Sequence, residues 1–100
     1  MNKHLSREIR GHILRVLDTS YPFPAGDHLI AEILTDAQYC CSPPQVKVHL
    51  VYLKEKGYVE LSEVSSEELG ITRCLAKLTA NGKDLLEGSI PSDPGVDLDG

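Results

Sequence analysis

No uncharged apolar stretch in this sequence approaches the roughly 18 to 20 residues that a bilayer-crossing helix needs. The opening residues Met-Asn-Lys-His-Leu-Ser-Arg also lack the apolar block of a secretory signal. The expectation from these two absences is a soluble, cytoplasmic protein with no membrane partner. Cysteine is scarce: there are three, an odd number, and Cys40 and Cys41 are neighbours. This pattern argues against the disulfide framework of a small secreted domain, so Cys40, Cys41 and Cys74 are expected to be reduced, small, buried apolar groups. A Gly-rich phosphate loop, a nucleophile elbow, a Cys-His couple and a paired-carboxylate arrangement are all missing. No catalytic residue is assigned, and the expectation is a protein that is not an enzyme. His28, Cys40, Cys41 and His49 do not make a zinc site. Four ligands usually include a C-x₂-C pair whose sulfurs reach one ion, whereas adjacent cysteines point apart. Neither a metal nor another cofactor is expected.

What is present fits one small domain: 100 residues, 41% hydrophobic and 25% charged. The formal charge of −5 argues against a nucleic-acid partner at first sight, because phosphate binding needs a concentrated positive surface. The charge is uneven, however. Asp93, Asp97 and Asp99 lie in the last stretch, "SIPSDPGVDLDG", which has no basic residue, and without it 10 basic and 12 acidic groups remain. The division is therefore a domain over 1–88 and a flexible acidic tail over 89–100, with Ile90, Val96 and Leu98 able to dock on a neighbouring chain.

Apolar residues at Leu5, Ile9, Ile13, Val16 and Leu17 recur at steps of three and four, which predicts a first helix ending near Asp18 with Lys3, Arg7 and Arg10 on its opposite face. "TSYPFPAG" breaks the chain. Asp27 is read as the cap of a second helix, His28 to about Ala37, with Leu29 or Ile30, Ile33 and Leu34 inward. Ser42-Pro43-Pro44-Gln45 combines an N-cap, a proline at the first helical position and a glutamine that can close a capping box. A third helix is expected from Pro43 to Lys56, stopped by Gly57, with Val46, Leu50 and Leu53 facing the core and His49 at its edge. "YVEL" and "TRCLAKL" alternate, so two short strands flank the polar loop "SEVSSEELG". "LTANGKDLLEG" gives a last helix capped by Thr79, anchored by Leu85 and Leu86 and ended by Gly88, with Gly82 marking a close backbone approach.

Val46, Leu50 and Leu53, followed by Lys54-Glu55-Lys56-Gly57-Tyr58-Val59, resemble the "V…L…L…+G-aromatic-V" exit from the third helix of the winged helix-turn-helix family. "LTANGKDLLEG" is similar to the "LTxxG" segment after the second wing strand in many members. The resemblance covers roughly residues 5 to 88 and implies an α+β fold with a three-helix core, a two-stranded β-wing and a C-terminal helix. "LLEG" and the short Pro-Asp tail also look like the small winged-helix proteins of Mu-like prophages.

The family implies a third helix that reads base edges in the major groove of double-stranded DNA. The face opposite Val46, Leu50 and Leu53 carries Pro44, Val48, Val51 and Glu55, flanked by Lys47 and Lys54 on one side and by Gln45 and Tyr52 on the other. Gln45 suits adenine and an apolar side chain suits a thymine methyl, but no arginine sits on this helix for guanine. Arg73, Lys77, Arg7 and Arg10 are candidates for backbone contact. Glu63, Glu67 and Glu68 put carboxylates where a DNA-binding wing offers cations. The first expectation is a transcriptional regulator of phage or prophage type acting as a homodimer. The alternative is a protein-interaction module whose contact surface is the Val48 and Val51 face together with the acidic wing.

Overall fold

The computed structural model of the chain describes residues 2–99. Its elements are α1 (Lys3–Ser20), β1 (Ala25–Gly26), α2 (Asp27–Asp36), α3 (Pro43–Glu55), β2 (Val59–Ser66), β3 (Ile71–Leu78) and α4 (Ala80–Glu87). The α+β architecture expected from the sequence is present. Three helices pack around Ile9, Ile13, Leu14, Leu17, Ile30, Leu34, Val46, Leu50 and Leu53, and the base of the β2–β3 hairpin closes this core with Val59, Ala76 and Leu78. No helix among the described residues is long and apolar enough to cross a membrane.

The first two helices differ in detail from the sequence reading. Asn2 caps α1 through a side-chain bond from the Leu5 N–H, and the helix runs two residues past Asp18. Leu14 joins its buried face while Leu5 and Val16 are only partly covered. Gly26, not Asp27, is the N-cap of α2, whose buried residues are Asp27, Ile30, Ala31 and Leu34. Leu29 and Ile33 point outward. Asp27 occupies the first turn, where a carboxylate suits the positive helix end, and accepts from the His28 backbone at 2.9 Å and the His28 ring at 3.0 Å.

The hairpin is longer than the alternating segments suggested. β2 and β3 pair antiparallel from Val59↔Leu78 to Ser66↔Ile71, leaving only residues 67–70 as the turn. Most of "SEVSSEELG" is therefore strand. Its polar residues give no period-two signal because this part of the ribbon is exposed on both faces, and its backbone groups pair with the partner strand or face solvent. A third strand, β1, adds Ala25↔Ala76 and Gly26↔Leu75 to give the order β1-β3-β2. It is two residues long and sits beside prolines, so a loop was the natural reading.

The two segments that resemble the winged-helix pattern touch each other. α3 ends in a Schellman motif: Gly57 has φ 85°, its N–H reaches the Lys54 carbonyl at 2.9 Å, and the Tyr58 N–H reaches the Leu53 carbonyl at 3.0 Å. Thr79 donates its hydroxyl to the Gly57 carbonyl at 2.6 Å and accepts from the Gly82 N–H at 3.1 Å as the cap of α4. Gly82 packs on the Tyr58 carbonyl so closely that a Cβ there would overlap it. One threonine thus joins the exit of α3 to the entry of α4.

The C-terminal segment, expected as a flexible tail, lies back on its own chain. Ile90, Val96 and Leu98 pack against the core, so their apolar surface is satisfied within the molecule instead of on a neighbour. Gly11 makes this possible, since any Cβ there would overlap the Asp97 carbonyl.

Candidate nucleic-acid interface

The placement of α3 follows from its sequence. Gln45 folds back so that its Oε1 accepts from the Ser42 N–H at 2.9 Å, closing the capping box, and Pro43 fills the first helical position. Val46, Leu50 and Leu53 are all 0% exposed and seat the helix against α1, α2 and the sheet, with His49 buried beside them. The opposite side is left to solvent: Val48 is 68% exposed and Val51 39%, with Pro44, Lys47, Lys54 and Glu55 also exposed. The outward face is the one read from the sequence for these six residues.

The other proposed contacts do not all share that face. The Gln45 Oε1 also takes the Ser42 hydroxyl at 3.2 Å, so a bidentate bond to adenine would have to break the cap. Tyr52 is partly buried on the α1 side, under the guanidinium of Arg10, whose central carbon is 3.8 Å from the ring centroid. Arg10 itself is committed: its Nε donates to His49 Nδ1 at 3.3 Å and its Nη1 to the Gly95 carbonyl at 3.2 Å. Both residues are turned from the α3 surface because a cation over a ring, tied down by two hydrogen bonds, is better placed at this corner than in water. Arg7 lies on the same flank of α1.

Strand alternation places Arg73 and Lys77 on the face of the ribbon opposite Cys74, Ala76 and Leu78, paired with Val64 and Glu60. They therefore occupy the outer side of the wing, apart from α3. The inner side carries Glu63, paired with Cys74. Burial, foremost, pushes the Cys74 thiol pKa up; the Asp27 carboxylate raises it further, the Lys47 ammonium lowers it and the Glu63 carboxylate raises it. Lys47 of α3 and Glu63 of β2 thus both act on the buried Cys74 thiol, with opposite signs. Cys41 is likewise buried and raised, whereas Cys40 is exposed. Adjacent residues in extended chain face opposite ways, so only one of that pair could enter the core. No group of three or more His, Cys, Asp or Glu among the described residues could hold a metal ion.

The residues that the sequence reading missed are those receiving the C-terminal segment. Asp93 is buried, and it accepts from the Tyr58 hydroxyl at 2.6 Å, the Lys56 ammonium at 3.0 Å and the Gly95 N–H at 2.8 Å. Burial alone would raise the Asp93 pKa, but these three donors and the Lys56 charge outweigh it and hold the carboxyl below its ordinary value. The Asp97 N–H bonds the Arg7 carbonyl at 3.0 Å, and Arg15 donates to the Leu98 carbonyl. Two local signals marked this docking. A glycine in the middle of α1 costs about 1 kcal/mol relative to alanine without a packing reason, and Asp-Pro-Gly is an Asx-turn sequence.

Three helices with the second and third joined by a tight turn, a β-wing and a closing helix give the chain a winged helix-turn-helix fold. Among solved structures, the chain is similar to the X-ray structure of a "PadR-like Transcription factor from bacteroid fragilis". The TM-score is 0.65 and the identity 25%, over 81% of this chain and 78% of that one. No protein-family model and no curated protein sequence matches the chain.

Proposed function

We propose that this chain is a DNA-binding winged-helix regulator of transcription that lays α3 in the major groove. Pro44, Lys47, Val48 and Val51 face the bases, and Gln45 stands at the helix entrance. The observation that carries this reading is the outward face of α3. It is exposed at Pro44, Val48 and Val51, edged by Lys47 and Lys54, and held in place by side chains that are fully buried. The likeness to a transcription factor supports it. Val48 and Val51 suit thymine methyls, and Lys47 supplies charge to a phosphate or a guanine. With Arg10 held on the side away from the exposed face of α3, Arg15 engaged by a carbonyl and Lys56 and Lys83 by aspartates, few cations are left beside that face for DNA phosphates. A single domain would bind weakly, and a symmetric homodimer on a two-part site would supply the missing affinity. The "LLEG" segment and Pro-Asp tail support a phage or prophage type of regulator.

Fluorescence anisotropy with labelled duplexes at low and moderate salt tests this reading, with the molar mass in solution measured alongside. Lys47→Glu is expected to abolish binding, and the absence of any complex at low salt for the unaltered protein would retire the DNA reading. The exposure of Val48 and Val51 beside an acidic wing favours a second reading, a protein-interaction face. Under that reading Val51→Asp removes partner binding while Lys47→Glu leaves it largely intact.

A further inference from the structure

A cleft of about 460 Å³ opens where the N-terminal half of α1 meets the C-terminal segment, away from the exposed face of α3. Lys3, Ser6, Arg7 and Arg10 line one wall, at helical spacings of three and four that bring them to one side of α1. Tyr52 and Gly95 stand opposite. Among the described residues no carboxylate lines the cleft, although Arg7 also borders the adjoining cleft that holds Asp93, Asp97 and Asp99. Three cations on one wall repel one another, and an anion between them relieves that repulsion.

The arrangement is preorganised for such an anion. Arg10 is oriented by His49 Nδ1, by the Gly95 carbonyl and by the Tyr52 ring, and its Nη2 takes part in neither of these hydrogen bonds. The entropy of ordering that guanidinium has already been lost in folding, which favours binding. Arg7 adds a second planar fork, Lys3 a mobile point charge and Ser6 a hydroxyl. We propose that this cleft binds the phosphate group of a small phosphorylated ligand. A doubly charged, three-oxygen head uses the three cations better than a monocarboxylate does, and Tyr52 with the adjoining proline gives the attached organic part an apolar wall. The site also meets α3 from behind, since both His49 and Tyr52 belong to that helix. A ligand that draws on Arg10 therefore bears directly on how α3 is held.

Two-dimensional amide and arginine side-chain NMR of the full chain tests the site without DNA, using inorganic phosphate and glycerol 3-phosphate against sodium chloride of equal ionic strength. Saturable shifts of Arg7, Arg10 and Tyr52 are expected with both phosphates. Arg7→Glu and Lys3→Glu should each weaken binding by about tenfold or more, as loss of a charged hydrogen-bond donor does. Lys3 is exposed, so its variant serves even if the Arg7 variant folds poorly. Lys47→Glu should leave the titration unchanged, which separates this site from the proposed DNA face. Addition of duplex separates the two sources of phosphate: retention of glycerol 3-phosphate supports a free ester as the occupant, and its displacement would assign the cleft to the DNA backbone and overturn the small-ligand proposal. Shifts that do not saturate, that chloride reproduces, or that survive both the Lys3 and Arg7 variants would overturn the proposal.

Discussion

The Thr79 hydroxyl donates to the Gly57 carbonyl at 2.6 Å, spanning 22 residues of sequence. The same oxygen caps α4 by accepting from Gly82. Thr79 therefore holds the end of α3 to the element that follows the wing. Thr79→Ala should destabilise the fold by about 1–2 kcal/mol through the lost cap and the unpaired carbonyl, and Thr79→Ser should recover most of it. Urea unfolding midpoints at constant m-value measure the difference.

Leu50 is fully buried at the centre of the inward face of α3. Leu50→Ala should cost about 2–5 kcal/mol, the range for large-to-small changes in a close-packed core. Val48→Ala, two positions away on the solvent side, should change stability by less than about 0.5 kcal/mol. Thermal unfolding of the pair checks that α3 faces the way described.

Salt dependence is a further expectation of the DNA reading. With Lys47 and Lys54 as the unpaired cations on the exposed face of α3, the slope of log affinity against log salt should be shallow. A value of about −2 to −3 per monomer corresponds to two or three phosphates at about −0.9 each. Arg73→Ala and Lys77→Ala, on the outer side of the ribbon, should change the slope by less than Lys47→Ala does. Anisotropy titrations at several salt concentrations give these slopes.

His49 is buried, and burial, aided by the Arg10 charge, holds its pKa below the ordinary 6.5. As pH falls through 6.5 the unfolded chain takes up a proton that the folded chain refuses, so stability declines from that point downward. Asp93 acts lower on the scale: its depressed pKa contributes stability that is complete above the ordinary 3.8 and lost as pH falls through the folded value. Urea midpoints at neutral and mildly acid pH should therefore diverge, and His49→Gln should flatten the mildly acid part alone.

The seat of the C-terminal segment can be read through Tyr58, whose pKa is pushed up to about 12 by burial and then by the neighbouring Asp93 carboxylate. Asp93→Asn should lower it, as seen in the ultraviolet titration of the phenol. Gly11→Ala should displace Asp97 and expose Val96, destabilising the fold by about 1–3 kcal/mol as overpacking does, and making the bonds after Gly88 accessible to protease.

The sequence by itself determined the local elements and the orientation of α3. Ser42 to Gln45, Gly57, and the spacing of Val46, Leu50 and Leu53 act within a few residues, where capping geometry and the 3.6-residue period are dictated by the chain itself. Only the tertiary structure decided where the polar groups and the tail went. Ser62 to Ser66 became strand because Arg73 and its neighbours in β3 lay alongside. Arg10 and Tyr52 are held together at the α1 side of α3, with Arg10 also bonded to His49 and Gly95, residues distant from it in sequence. The acidic tail became part of the body because Gly11, Lys56 and Tyr58 together form a seat for it. Each of these outcomes rests on contacts between residues far apart in the chain; a local signal such as Gly11 marks a close approach but does not name the segment that makes it.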